Sequence, residues 1–193
     1  MIAAPASEAR TTRVPPAIVV AIAGAWAIAV VAQLTGRAEL FGHSALAEDD
    51  ARWGVALGLF LVGWQLMIVA MMLPSSLPLV RMFRAAAANQ PHPARVLAAL
   101  FAGYALVWTA FGAAAFLGDM VLHRLVEEWA WLEGHPQVIG GSVLVLAGAF
   151  QFSDLKERCL RECRHPGPFL VQHYGRGAAS AFRLGRAHGL FCL

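Results

Sequence analysis

A chain of 193 residues that is 59% hydrophobic and only 14% charged carries too little polar surface for a water-soluble domain, which usually has about 25% charged residues. The net charge of +3 does not mark a nucleic-acid binder, because the basic residues lie between apolar stretches and not in one patch. No dinucleotide fingerprint, P-loop or nucleophile elbow is present, which removes the commonest nucleotide-binding and acyl-transfer signatures.

The pattern predicts an all-α fold, a polytopic transmembrane helical bundle with four full spans plus the start of a fifth. Residues 1–16 read as a cytoplasmic N-terminal tail and residues 17–193 as one transmembrane domain. The first span covers about Ala17 to Leu34. Its apolar run exceeds the core of a cleaved signal peptide and no small-residue cleavage site follows, so it reads as a retained signal-anchor. The second covers about Val55 to Leu73 and is stopped by Pro74 and Pro78, since proline lacks the amide donor and disfavours helix before it. Gly54 and Gly58 at its outer end form a GxxxG suited to close helix contact. The third covers about Val96 to Leu117. The fourth, about Val138 to Phe152, is short for a hydrocarbon core of about 30 Å. It reads as a helix buried in the bundle whose polar end continues from Gln151 into the cytoplasm. Arg183 and Arg186 then mark the boundary of the fifth.

Charge supplies the orientation. With the N-terminus inside, the segments 1–16, 74–95 and 153–187 hold 12 of the 15 Lys and Arg residues, and the outer segments 35–54 and 118–137 hold 8 of the 12 acids. Basic residues are retained on the cytoplasmic side during insertion. The expected location is therefore the bacterial inner membrane, multi-pass, with a cytoplasmic N-terminus.

Soft donors collect toward that cytoplasmic side. Met67 and Met71 are four apart and share a helix face, with Met72 about 100° around; thioether ligation and flexible core filling both fit them. Cys159 and Cys163 stand at i, i+4 among Lys156, Arg158, Arg161 and Arg164, whose charge favours the ligating thiolate. A pair of packing thiols is the ordinary alternative. His188 and Cys192 repeat the i, i+4 spacing, and an imidazole inside a span is a functional candidate by default. Thioether, thiolate and imidazole together select a soft or borderline ion, copper first and zinc second. His43, His123 and His135 on the outer side could form a loose metal-collecting surface but read mainly as solvated loop; His165 and His173 on the inner side fit further ligands and a polar cytoplasmic loop equally.

Several blocks carry a family likeness: Trp64-x2-Met67-x3-Met71-Met72-Leu73-Pro74-Ser75, Tyr104-x3-Trp108, Gln151-x4-Lys156-x2-Cys159-Leu160-x2-Cys163-Arg164-x-Pro166, and His188-Gly189-x2-Cys192. They resemble a bacterial family of integral membrane proteins expected to bind metal, some of whose members carry the label copper chaperone. The likeness covers roughly residues 55–193. It implies a metal role for Met67, Met71, Met72, Cys159, Cys163, His188 and Cys192, with no catalytic residue. It also implies a chain truncated at its C-terminal end, since relatives continue beyond Leu193 with a Gly-Cys-Cys-Trp segment and a sixth span. The implied partners are the lipid bilayer and a metal-donating or metal-receiving protein, with no nucleic acid. Nothing in the sequence sets the oligomeric state. Two other readings share these residues: a non-catalytic membrane subunit in which Met and Cys only pack helices, and a membrane thiol redox protein using Cys159 and Cys163.

Overall fold

The computed structural model describes residues 14–36, 53–154, 156–157, 159–160 and 165–193. Among these the chain is helical throughout, in the order α1 (Pro16–Leu34), α2 (Trp53–Met71), α3 (Leu73–Ala87), α4 (Pro93–Glu128), α5 (Ala130–Glu133), α6 (Pro136–Gln151), α7 (Pro166–His173) and α8 (Ala178–Cys192). Proline stands in the first two positions of α1, α3, α4, α6 and α7. There the missing amide has no helical acceptor to lose and the fixed φ suits the first turn.

Three of these helices, α1, α2 and α4, are long and apolar enough to cross a membrane, with mean hydropathy of 2.3, 2.0 and 1.8 over their most apolar windows. Their outward faces carry residues such as Val20 and Val62, 69% and 61% exposed, which suit lipid contact rather than water. The fourth apolar run forms α6, whose 16 residues fall short of that length. It is also not buried: none of its described side chains is, and Leu144 and Val145 are more than 70% exposed. The expectation of a buried helix is thus corrected. So is its continuation beyond Gln151. The helix stops there, and a new helical stretch starts at Ser153, whose hydroxyl accepts from the Lys156 amide at 3.3 Å. Serine is a favoured residue for such a cap.

The bundle is built around α4. Helix α8 runs parallel to it in direct backbone contact, because Gly103, Gly185 and Gly189 leave no side chain between them. A Cβ on Gly185 would meet the Leu100 carbonyl, one on Gly103 the Phe182 carbonyl, and one on Gly189 the Val107 Cβ at 3.0 Å. Arg183 and Arg186 lie exposed within one continuous helix docked on α4. By contrast a Cβ on Gly54 or Gly58 would meet nothing within 4 Å, so that GxxxG makes no close helix contact among the described residues. Ala181, Leu184, Phe83, Phe169, Leu79 and Val80 fill the core between α8, α3 and α7.

Polar side chains also fasten the apolar helices to one another. Trp64 donates its indole N–H to the Trp108 carbonyl at 3.0 Å, and the Gln65 amide donates to the Ala105 carbonyl at 3.1 Å and to Thr109 Oγ1 at 2.6 Å. On the other side of α2, Trp26 of α1 donates to the Ala70 carbonyl at 3.0 Å. Buried Gln90 accepts from the Gly177 amide at 2.7 Å and donates to Tyr174 Oη at 2.9 Å. That pair of bonds ties the α3–α4 and α7–α8 connections together and fixes where α8 starts.

Candidate metal centre

The break between α2 and α3 divides the three methionines. Met72 ends the α2 pattern by donating to the Ile68 carbonyl at 2.9 Å, and Pro74, lacking an amide, cannot extend it. A new helix begins at Leu73. Met67 and Met71 point outward, 41% and 59% exposed, into a groove of about 240 Å³ against Trp26 of α1. Met72, a third of a turn away, packs inward against the buried cluster of Ile68, Tyr104 and Trp108.

Cys192 packs against that same cluster from α8. One turn earlier His188 is buried, 6% exposed. Its ring lies over Tyr104 with centroids 5.6 Å apart and planes at 27°, and Phe169 stands beside it at 5.8 Å. The imidazole Nε2 stands 3.0 Å from Ser76 Oγ and 3.7 Å from Cys192 Sγ. The α4–α8 glycine contacts set the approach of His188 to Tyr104 and Ser76, since any Cβ at Gly185 would lift α8 off α4, whereas the Cys192–His188 distance follows from their i, i+4 spacing on α8. A void of about 10 Å³ remains beside Ser76, Tyr104, Gly185 and His188, about the volume that one water-sized guest requires.

The separation of the two donors has a chemical meaning. For bond lengths of about 2.3 Å to sulfur and about 2.0 Å to nitrogen, two ligands of one ion stand about 3.7 Å apart at a trigonal angle and about 3.5 Å apart at a tetrahedral one. The 3.7 Å between Cys192 Sγ and His188 Nε2, one turn apart on α8, therefore fits a shared soft ion. Met72 supplies a thioether to the same cluster. Among the described residues the buried indole N–H of Trp108 has no hydrogen-bond partner, a condition costing about 1–3 kcal/mol.

The remaining sequence candidates lie apart. Cys159 is half-buried on the helical stretch that Ser153 begins, outside the Trp108 cluster, and Cys163 lies outside the described residues. His43 does too. His123 donates from Nδ1 to the Asp119 carbonyl at 3.0 Å, His135 to the Trp131 carbonyl at 2.7 Å and His173 to the Phe169 carbonyl at 3.0 Å, so each is engaged within its own turn. Among the described residues no three His, Cys, Asp or Glu side chains converge. A metal centre made from them must use methionine or an outside ligand. Sequence reasoning singled out neither Ser76 nor the apposition of Tyr104 to His188. The Ala181-x3-Gly185-x3-Gly189 spacing on α8 was the available signal for the close α4–α8 contact.

Residues 61–193 match the model of the family PpoB2, described as copper chaperone. No curated protein and no solved structure matches the chain.

Proposed function

The chain belongs to the PpoB2 copper chaperone family, and on that premise we propose that it is a membrane-embedded carrier of Cu(I) whose inner binding site is formed by Cys192, His188 and Met72. The observation that carries this reading is the 3.7 Å between Cys192 Sγ and His188 Nε2, which suits two ligands of one ion. Thiolate, imidazole and thioether form a donor set that favours Cu(I), with Zn(II) second. On binding, Cys192 gives up its thiol proton to water and ligates as the thiolate.

The other candidates take subsidiary roles. Met67 and Met71, exposed in the groove against Trp26, offer two thioethers on the approach to Met72. Cys159 and Cys163 form a second thiolate station on the cytoplasmic side, facing the protein that donates or receives copper. The proposed setting is the bacterial inner membrane with the N-terminus in the cytoplasm. Charge asymmetry supports that orientation, and the three long apolar helices support the membrane. The function is transfer of an ion, and no bond of a substrate is made or broken.

Competition of purified protein with a Cu(I) chelator of known affinity tests the site. Cys192→Ser and His188→Gln should each weaken Cu(I) binding at least tenfold. The double variant should lose little more than either single one, because the two groups act as a unit. Wild-type affinity in the folded double variant would sink the assignment.

A further inference from the structure

The hydroxyl of Ser76 occupies the same imidazole nitrogen that faces Cys192. Ser76 is itself buried, 5% exposed, in the first turn of α3, 112 residues before His188 in the chain. Its Oγ lies 3.0 Å from His188 Nε2, and Nε2 lies 3.7 Å from Cys192 Sγ. Whichever partner donates, that hydrogen bond uses the nitrogen's only in-plane position, so one nitrogen cannot serve both the serine and a metal ion. From this geometry, and resting on the Cu(I) site proposed above, we infer that Ser76 is a release latch: it orients His188 when the site is empty and competes with the bound ion for Nε2.

The surroundings of Ser76 suit a group that is displaced and returns. Its hydroxyl also donates to the Met72 carbonyl at 3.3 Å, so breaking the bond to His188 leaves it a partner and avoids the cost of an orphaned buried hydroxyl. Ser75 donates to that carbonyl as well, at 2.7 Å, from an exposed position without contact to His188. The void bounded by Ser76 and His188 gives the hydroxyl room to swing. The connection reaches Met72, so the break carrying one ligand is tied through Ser76 to the ring of another. Loading exchanges the Ser76–Nε2 hydrogen bond for a metal–Nε2 bond, with the imidazole proton moving from Nε2 to Nδ1 by exchange with water; unloading reverses the exchange. A carrier gains from this arrangement, because a competitor fixed inside the site lowers affinity and speeds handover without altering any ligand.

The prediction has a sign that a purely structural role does not share. Removing the competitor in Ser76→Ala should raise Cu(I) affinity roughly 3- to 10-fold, the factor that one net hydrogen bond is worth. It should slow Cu(I) loss to excess chelator by a similar factor. Ser75→Ala, which removes a hydroxyl from the same carbonyl but not from His188, should leave both quantities unchanged. Ser76→Gly provides a second hydroxyl-free variant if packing disturbs the first. Unchanged or weakened affinity in hydroxyl-free variants of a wild type that binds Cu(I) through His188 overturns the latch and leaves the site standing. A wild type that binds no Cu(I), or binds it equally well in His188→Gln, overturns both.

Discussion

Substituting glycines one at a time along the helices tests whether the α4–α8 contact sets the site. Gly185→Ala places a methyl group against the Leu100 carbonyl, which is backbone and cannot rotate away. Relief requires α8 to move from α4 by on the order of 1 Å, and overpacking of this kind costs about 1–3 kcal/mol. Gly189→Ala meets the Val107 Cβ at 3.0 Å, a side-chain contact that yields by a few tenths of an ångström, so its cost should stay under about 1 kcal/mol. Gly24→Ala meets nothing within 4 Å and should stabilise its helix by up to about 1 kcal/mol. The assay is thermal unfolding of the detergent-purified variants, followed by Cu(I) titration of the folded fraction. Gly185→Ala should be the least stable of the three and should lose Cu(I) affinity, because the lift also separates His188 and Cys192 on α8 from Met72. Equal stability of Gly185→Ala and Gly24→Ala would refute the close contact. Full Cu(I) affinity in a destabilised Gly185→Ala would refute its link to the site.

Two further outcomes are expected. Met72→Leu nearly conserves volume and should cost less than about 1.5 kcal/mol of stability while weakening Cu(I) binding; Met71→Leu, on the exposed side of the break, should slow Cu(I) uptake with little change in final affinity, so equal behaviour of the two variants would return both to packing roles. Single cysteines at Ser44 and Gly134, in a background lacking Cys159, Cys163 and Cys192, should label with an impermeant maleimide in intact cells, and labelling only after lysis would reverse the proposed orientation.

The strong one-body signals in the sequence carried over to the fold. Hydropathy alone located α1, α2 and the apolar part of α4, and Pro74 marked the end of α2 to within a residue or two. Helical periodicity set Met67 and Met71 on one face and Met72 off it. It could not say which face points inward, because that depends on the contacts with Tyr104 and Trp108 on α4. The same limit hid Ser76, whose bond to His188 joins residues 112 apart in the chain. Hydropathy also misjudged the burial of α6, because an apolar run reads alike whether or not other helices cover it. On α8 the Ala181-x3-Gly185-x3-Gly189 spacing went unread: it marks the face that meets α4, while Arg183 and Arg186 stand exposed on the same helix.

X-ray absorption at the copper edge of the Cu(I)-loaded protein tests the central claim most directly, because it reads the ligands and not their consequences. Sharing of one ion by Cys192, His188 and Met72 predicts a mixed first shell with sulfur at about 2.3 Å and one nitrogen at about 2.0 Å, together with the outer-shell scattering of a single imidazole. That imidazole scattering should vanish in His188→Gln. A first shell of sulfur alone, with the wild-type and His188→Gln spectra superimposable, would contradict the account.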